Sequence, residues 1–287
     1  MQPTGSPQRP QWTYLGPEGT FTEQAAQALA SGESLAPQLI PATDLSAAVA
    51  AVRSGSVQRA VVPLENSVEG AVALAQDELI HGGDLQIYGE AYVAVRFELL
   101  VRPGTDAAQV RRIGSHPHGH AQVRDYLAAH FPQAEAVVTT STAAAAQAVA
   151  AGELDAAAAA AIAGRRNGLT ALAGDIGLSS DAVTRFALVG SPGPVPPPSG
   201  NDRTSLVAHV PNQPGTLLAV LAEIADRGVN LTRLESRPTR EVMGEYLFLL
   251  DADGHVDQPA MAATVAALRG RGSLFRFLGS YPKADRR

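Results

Sequence analysis

Cysteine is absent from this chain of 287 residues, and aromatic and charged residues are scarce. Without cysteine the chain can hold no disulfide, no thiolate nucleophile and no Cys-ligated zinc ion. Charged residues make up 17% of the chain, the net charge is −6, and no run of basic residues stands out. The composition therefore excludes thiol chemistry and argues against a nucleic-acid partner.

Long hydrophobic runs are also missing. The longest unbroken apolar stretch covers residues 156–163, which is far short of the ~18 residues that a membrane span needs. The first residues, MQPTGSPQRPQ, contain no apolar segment of the kind found in a secretory signal. The sequence therefore predicts a cytoplasmic protein with no membrane partner.

Proline is concentrated in one segment, SPGPVPPPSGND at 191–202, which can form neither a helix nor a central strand. We interpret it as a linker between two domains. The predicted organisation is then a disordered tail at 1–11, a body at 12–190, the linker at 191–202, a second domain at 203–281 and a tail at 282–287. Hydrophobic residues make up 45% of the chain, enough for a core in each domain.

The body alternates short apolar runs with alanine-rich segments, which indicates an α/β fold. Alanine is abundant, and its run at 156–161 favours helix. The predicted strands of the body are 12–15, 60–63, 91–101, 112–115 and 136–139. The predicted helices are 22–30, 45–54, 122–130 and 143–151.

The second domain follows the order strand–helix–strand–strand–helix–strand, which is the ferredoxin-like βαββαβ plan. Its predicted strands are 205–210, 230–236, 245–251 and 274–280. Its predicted helices are 216–227 and 259–270.

Polar residues gather where strands of the body end and helices begin. In an open α/β sheet, ligands bind beyond the carboxyl ends of the strands, and helix N-termini hold anions. The sequence therefore predicts a cleft for a small, oxygen-rich anion, although any one junction alone is more typical of a helix cap. The residues concerned are Thr20, Thr22, Glu65, Asn66, Ser115, Gln122, Ser141 and Thr142.

Two further motifs have both a functional and a structural interpretation. His116, His118 and His120 alternate as metal ligands can, but no carboxylates accompany them, so a solvated or helix-capping loop is the favoured interpretation and no metal is expected. Thr184 and Arg185 either begin a strand or form a site in which the hydroxyl donates a proton and the guanidinium binds a carboxylate.

Taken together, these segments resemble the prephenate dehydratase family over nearly the whole chain. The second domain resembles an ACT regulatory domain, with ESRP at 235–238. The matching segments of the body, in order, are GPEGTFTEQAA at 16–26, VPLENSVEG at 62–70, SHP at 115–117 with Gln122, TTSTAAAA at 139–146 and TRF at 184–186.

The resemblance implies a two-lobed catalytic domain similar to periplasmic binding proteins, followed by the ACT domain. The first lobe would take residues 12–90 and 172–190, and the second lobe would take 91–171. The implied reaction converts prephenate to phenylpyruvate, water and CO₂ without a cofactor or metal. With only residues 1–11 before the first strand, we expect no fused chorismate mutase domain.

The resemblance also assigns roles to individual residues. The catalytic residues would be Thr184, Glu65, Asn66, Ser115 and Gln122. The substrate-binding residues would be Arg185, Phe186, Thr20, Thr22, Ser141 and Thr142. The effector, L-phenylalanine, would be bound at an interface of a homodimer or homotetramer by Gly215, Leu217, Glu235, Ser236 and Arg237.

Two positions depart from the family's usual pattern. Ala182 stands where an asparagine often precedes the TRF motif, and Thr216 stands where an alanine usually follows Gly215. Two alternatives stay open at this point. One is arogenate dehydratase, which carries out the same chemistry on the transaminated substrate. The other is a non-catalytic amino-acid sensor with a body similar to binding proteins and an ACT effector domain, which the intact Thr184–Phe186 motif and the Glu65–Asn66 pair disfavour.

Overall fold

The computed structural model describes residues 9–179, 181–270 and 275–285. Three of the predicted segments lie partly outside these ranges. They are the tail at 1–11 (residues 1–8), the strand at 274–280 (residue 274) and the tail at 282–287 (residues 286–287). Among the described residues, no helix combines the length and apolar character that crossing a membrane requires.

The body consists of eleven strands and six α-helices within the described ranges. The strands are β1 (Gln11–Leu15), β2 (Gln38–Ala42), β3 (Arg59–Asn66), β4 (Gly70–Ala71), β5 (Gln86–Ala94), β6 (Glu98–Val101), β7 (Arg112–Ser115), β8 (Glu135–Val138), β9 (Ala156–Ala159), β10 (Thr170–Ala173) and β11 (Val183–Gly190). The helices are α1 (Phe21–Ala30), α2 (Leu45–Arg53), α3 (Ala73–Ile80), α4 (Pro117–His130), α5 (Thr142–Ala150) and α6 (Ala161–Asn167).

These elements form two lobes, each built on its own sheet. The first lobe has the strand order β2-β1-β3-β11-β5, with β4 beside β3, and the second lobe has the order β10-β6-β9-β7-β8. The predicted single strand at 91–101 is therefore two strands in different lobes, because the chain crosses between the sheets at residues 95–97. The predicted lobe boundaries shift accordingly, since β5 keeps residues 91–94 in the first lobe and β10 keeps residues 172–173 in the second.

The alanine run forms a central strand, β9, although alanine favours helix. Every side chain of β9 is fully buried. Ala157 and Ala159 pack against α5, whereas Ala156 and Ala158 share a core with Val123 of α4. Small side chains let helices approach both faces of the sheet closely, so tertiary packing outweighs the local preference.

The second domain has the predicted ferredoxin-like plan, and the predicted fold class is confirmed. Its sheet has the order β13-β14-β12-β15, and α7 and α8 cover one face of that sheet. Its elements are β12 (Asp202–Val210), α7 (Thr216–Ala225), β13 (Leu231–Pro238), β14 (Tyr246–Asp253), α8 (Pro259–Gly270) and β15 (Phe275–Pro282).

The other face of this sheet packs directly on the first lobe. Val207 and Leu278 share one apolar core with Val62 of β3 and Ala187 of β11. Gly279 allows this close contact, because its φ is +142° and a Cβ atom there would lie 2.2 Å from the carbonyl oxygen of Ile87. The backbones of β15 and β5 therefore meet where no larger side chain fits.

A buried cluster of charges lies within this interface. Arg185 of β11 donates from Nε to Glu90 of β5 at 2.8 Å, from Nη1 to Asp251 of β14 at 2.5 Å and from Nη2 to the Tyr281 hydroxyl at 3.0 Å. Arg203 of β12 also donates to Glu90. Two guanidinium groups thus balance two carboxylates, and all four side chains are at least nine-tenths buried.

The pKa values of the cluster follow from burial and from these pairs. Burial alone would lower the pKa of Arg185, but Asp251, Tyr281 and Glu90 outweigh it and raise that pKa well above its usual value. Burial would raise the pKa of Asp251, but Arg185 and the Ser205 hydroxyl hold that pKa below its usual range. The pKa of Tyr281 is raised, chiefly by burial. Arg185 and Asp251 therefore stay charged and Tyr281 stays neutral near pH 7.

We expect Ala157→Leu to lower the free energy of unfolding by about 1–3 kcal/mol, because the added atoms have no space between β9 and α5. The matched control is Ala129→Leu on the exposed surface of α4, for which we expect a change within about 0.5 kcal/mol. Urea-induced unfolding measures both values, and equal stability of the two variants would contradict the packing of β9.

We expect Asp251→Asn to cost roughly 3–5 kcal/mol at pH 7, because it leaves the two buried guanidinium groups of the cluster with one carboxylate, Glu90. The Asp251 pKa is lowered on folding, so its carboxylate stabilises the fold above the unfolded-state pKa of about 3.9. That contribution is lost as the pH falls through the lower folded-state pKa. Unfolding curves from pH 7 to pH 3 should show the variant and the wild type converging below about pH 4, and a difference independent of pH would contradict this.

Candidate functional site

A cleft of about 410 Å³ lies between the two lobes of the body. Side chains from both lobes line it, and most of them carry hydroxyl or amide groups. Seven of the predicted catalytic and substrate-binding residues are brought together in its walls, namely Thr20, Thr22, Asn66, Gln122, Ser141, Thr142 and Thr184.

Three helices begin at the cleft, and each is capped by a side chain from its wall. Thr20 caps α1, His116 caps α4 and Ser141 caps α5, each by accepting a hydrogen bond from a backbone N–H of the first turn. The first-turn N–H groups of a helix have no acceptor within the helix, and the positive end of its dipole attracts anions. The cleft is therefore suited to carboxylates.

His116 contributes as a neutral group. Its Nδ1 accepts from the backbone N–H of His118, which requires an unprotonated nitrogen. Burial, together with the neighbouring His118, lowers the pKa of His116. The helix-capping interpretation of this histidine is thus confirmed, and α4 begins at Pro117, earlier than the predicted residue 122. Within the described part of the chain, neither lysine nor arginine lines the cleft.

Thr184 and Asn66 form a fixed pair in the cleft wall. They are partners on the adjacent antiparallel strands β11 and β3. Asn66 donates from Nδ2 to Thr184 Oγ1 at 2.9 Å, while its Oδ1 accepts from the backbone N–H groups of Val68 and Glu69. These two N–H donors fix which end of the amide faces Thr184. The Thr184 oxygen already accepts a hydrogen bond, so its own proton is directed elsewhere.

An apolar surface completes the cleft. The rings of Phe21 and Phe97 meet edge to face with centroids 5.6 Å apart, and Val95 lies beside them in the wall. Such a surface can hold one flat ring by contact alone. Val95 and Phe97 were not among the predicted site residues, because they lie where the chain crosses between lobes, inside the segment predicted as one strand.

Glu69 connects the two lobes at the cleft. Its Oε2 lies 2.6 Å from Nδ1 of His118, and its Oε1 accepts from Gln122 Nε2 at 3.1 Å. The predicted catalytic residue Gln122 is therefore held by a carboxylate from the opposite lobe. Glu69 was not among the predicted site residues, although it lies in the VPLENSVEG segment.

Two predicted site residues of β3 and β11 face away from the cleft. Side chains alternate along a strand, so Glu65 and Arg185 point to the opposite side from Asn66 and Thr184. Both line a separate cavity of about 300 Å³. Glu65 lies 3.3 Å from Arg233 of β13, and Arg185 belongs to the buried charge cluster. Arg185, which was predicted to bind a carboxylate of the substrate, therefore lies outside the cleft.

Two more predicted residues are buried behind the cleft. Ser115 is fully buried, and its hydroxyl donates to the carbonyl oxygen of Ala158 at 2.8 Å. Phe186 packs with Trp12 and Tyr14 in the core of the first lobe. Both side chains are buried behind the residues that line the cleft, and neither lines it.

The predicted effector residues are divided between two locations. Gly215 and Leu217 line a cavity of about 270 Å³ at the start of α7, together with Tyr246 and Phe248. The Thr216 hydroxyl shares its one proton between the carbonyl oxygens of Pro211 and Gln213, which lie 2.6 and 2.8 Å from Oγ1. The hydroxyl at this departure from the family pattern therefore stabilises the turn itself.

The remaining three effector candidates lie on β13, outside that cavity. Ser236 is exposed and Glu235 lies 3.7 Å from Arg233. Arg237 donates two hydrogen bonds to Asp77 of α3, at 3.0 and 2.8 Å. Arg237 thus connects the second domain to the first lobe in this chain.

The body and the second domain match different family models. Residues 12–194 match the prephenate dehydratase model, and residues 204–270 match the ACT domain model. A prephenate dehydratase from Mycolicibacterium vanbaalenii is 48% identical over 284 residues, which covers 95% of this chain and 91% of the relative.

Solved structures also match nearly the whole chain. Prephenate dehydratase from Arthrobacter aurescens, in complex with L-Phe, is 42% identical with a TM-score of 0.86, and the match covers 96% of this chain and 91% of that chain. A protein described as a quorum-quenching acylase is 33% identical with a TM-score of 0.83, covering 95% and 97%. The family model covers well over half of this chain, and the curated relative aligns over nearly all of it, so the chain belongs to the prephenate dehydratase family and ends in an ACT domain.

Proposed function

We propose that this protein converts prephenate to phenylpyruvate, water and CO₂, which makes it a lyase of L-phenylalanine biosynthesis. The observation that carries the proposal is the Thr184 hydroxyl, which is held by Asn66 in a cleft where three helices begin. The family membership of the chain supports the same reaction.

Prephenate has two carboxylates, a ring and a ring hydroxyl, and the cleft offers a counterpart to each. The starts of α1, α4 and α5 would hold the carboxylates. Phe21 and Phe97 would contact the ring. The Thr184 hydroxyl, with its proton directed away from Asn66, would donate a hydrogen bond to the ring oxygen that leaves.

The reaction needs no redox step. The bond between the ring and its carboxylate breaks and CO₂ departs, leaving the electron pair in the ring. That pair completes the aromatic system as the C–O bond at the opposite ring carbon breaks, and the departing hydroxide takes up a proton to become water. Thr184 is a poor acid in water, so its contribution is a positioned hydrogen bond to the developing negative charge. Asn66 strengthens that bond by donating to the same oxygen.

We also propose that L-phenylalanine binds the ACT domain and lowers the activity. A related structure was solved with L-Phe, and the cavity at α7 combines a helix start with the rings of Tyr246 and Phe248. These features suit a carboxylate and an aromatic side chain respectively.

The oligomeric state and the cytoplasmic location stay predictions. The proposal of a homodimer or homotetramer is supported by β13, which is an edge strand of the ACT sheet, and by exposed apolar side chains near it, Leu218, Leu234 and Met243. An exposed strand edge with apolar neighbours is suited to pairing with a second copy.

Arogenate dehydratase and a non-catalytic amino-acid sensor are the alternatives. Arogenate differs from prephenate by an amino group in place of the side-chain keto group, so parallel assays with both substrates distinguish them. A sensor would bind prephenate without turnover. Acylase chemistry is less well supported, because Thr184 is paired with an amide, which cannot act as the base that a threonine nucleophile needs.

We expect Thr184→Val to lower kcat for prephenate by about 10²–10³-fold with little change in KM, since it removes one hydrogen bond to the transition state and keeps the side-chain shape. The matched control is Thr13→Val, because Thr13 is a buried threonine of β1 whose hydroxyl donates to a backbone carbonyl. Phenylpyruvate formation measures both variants. Unchanged kcat in Thr184→Val, or absence of turnover by folded wild-type protein, would refute the proposed role or the proposed reaction.

We expect L-phenylalanine to inhibit the wild type, and Gly215→Ala to raise the half-inhibiting concentration at least about fivefold. Gly215 has a φ of +83°, so a Cβ atom strains the turn and displaces its N–H groups. Gly228→Ala is the matched control, because Gly228 has a φ of +69° in the same domain but does not line the cavity. Equal shifts in both variants would indicate general strain and contradict the proposed site.

A further inference from the structure

Thr184 and Arg185 are consecutive residues of β11 that serve opposite sides of the sheet. Thr184 lines the cleft between the lobes. Arg185 points into the interface with the ACT domain, where it reaches Asp251 of β14 and Tyr281 of β15. A single peptide bond thus joins Thr184, whose hydroxyl serves the proposed reaction, to Arg185, whose side chain contacts the ACT domain.

The guanidinium group of Arg185 is fully engaged where it lies. Each of its three nitrogens donates a hydrogen bond, Nε to Glu90, Nη1 to Asp251 and Nη2 to Tyr281. The side chain is 4% exposed. Binding a substrate carboxylate would require Arg185 to leave the buried carboxylate of Asp251 without the guanidinium that contacts it, which is strongly unfavourable.

A second contact of the same kind lies beside Asn66. Its neighbour Glu65 approaches Arg233 of β13 at 3.3 Å. Asn66 therefore adjoins Glu65, which faces Arg233 of the ACT sheet. Thr184 likewise adjoins Arg185, which faces Asp251 of that sheet. The Arg185 contact is the more rigid of the two, because Glu65 is 44% exposed and exposed ion pairs are weak.

We propose that Arg185 is a positioning residue, which couples the ACT sheet to the Thr184 hydroxyl through its bonds to Asp251 and Tyr281. The inference rests on the proposed function and replaces substrate binding as the role of Arg185. A displacement of the ACT sheet that moves Asp251 also moves Arg185, and the adjoining Thr184 with it. Because small misplacements of a catalytic group reduce rate steeply, such a displacement acts on turnover more than on substrate binding.

The test is a double-mutant cycle of Arg185→Gln, Asp251→Asn and the variant with both changes. The matched control is Arg276→Gln, because Arg276 of β15 also joins the ACT domain to the first lobe, but its hydrogen bonds go to the carbonyl oxygens of Ile80 and Gly83, at and beyond the end of α3. For each protein, kcat, KM and the extent of inhibition by L-phenylalanine are measured with prephenate, and L-phenylalanine binding is measured by calorimetry.

We expect each single variant to lose at least about tenfold in kcat, with KM within about twofold to threefold of wild type. The variant with both changes should lose no more than the worse single variant, because both changes break one connection. L-Phenylalanine should still bind but inhibit less. Arg276→Gln should keep kcat within about twofold and keep its inhibition.

Two results would overturn the inference while wild-type turnover stands. One is a KM raised about tenfold or more in Arg185→Gln alone, which a lost charged hydrogen bond to substrate would cause. The other is kcat losses that multiply in the variant with both changes. Absence of turnover by the wild type would instead refute the proposed function, and the inference with it.

If the charge-changing variants do not fold, the same measurements are made on Tyr281→Phe and Ser205→Ala. Tyr281 donates or accepts only through its hydroxyl, and Ser205 donates to Asp251 at 2.5 Å, so both variants keep every charge of the cluster. We expect smaller losses of kcat in the same direction, with KM unchanged and inhibition weakened. Wild-type kcat and wild-type inhibition in both would overturn the inference.

Discussion

The alternation of side chains along β3 and β11 is the constraint on which the remaining architecture depends. Successive residues of these strands face opposite sides of one sheet. Asn66 and Thr184 reach the cleft, whereas Glu65 and Arg185 reach the ACT domain. The wall of the cleft and the interface with the ACT domain therefore share two strands, so a change in the packing of one side bears on the other.

The molecule provides positive charge to anionic groups in two different ways. In the cleft, backbone N–H groups at three helix starts provide positive potential without a lysine or arginine side chain, within the part of the chain that the structure describes. At the domain interface, the two arginines of the buried cluster face two carboxylates, and all four side chains are shielded from water. The buried arginines thus hold the two domains together, while the backbone dipoles of the helix starts are directed at the cleft.

Much of the fold and part of the site could be predicted from the sequence, because turn chemistry, capping and element order are local properties. The βαββαβ order and the polar junctions at Thr20, Asn66 and Ser141 are of this kind. The strand β9 could not be predicted, because only burial between two helix layers overrides the preference of alanine. The position of Arg185 could not be predicted either, since its partner Asp251 lies in another domain and the sequence does not say which side of β11 meets it.

The three helix starts belong to different lobes, which has a consequence for how a reaction cycle would end. Helix α1 comes from the first lobe, and α4 and α5 come from the second. A ligand with two carboxylates placed among them bridges the lobes electrostatically. Loss of CO₂ removes one of those charges from the organic molecule, so the attraction that draws the lobes together weakens at the moment the product forms. Departure of the product is then favoured by the change in charge that the chemistry itself produces.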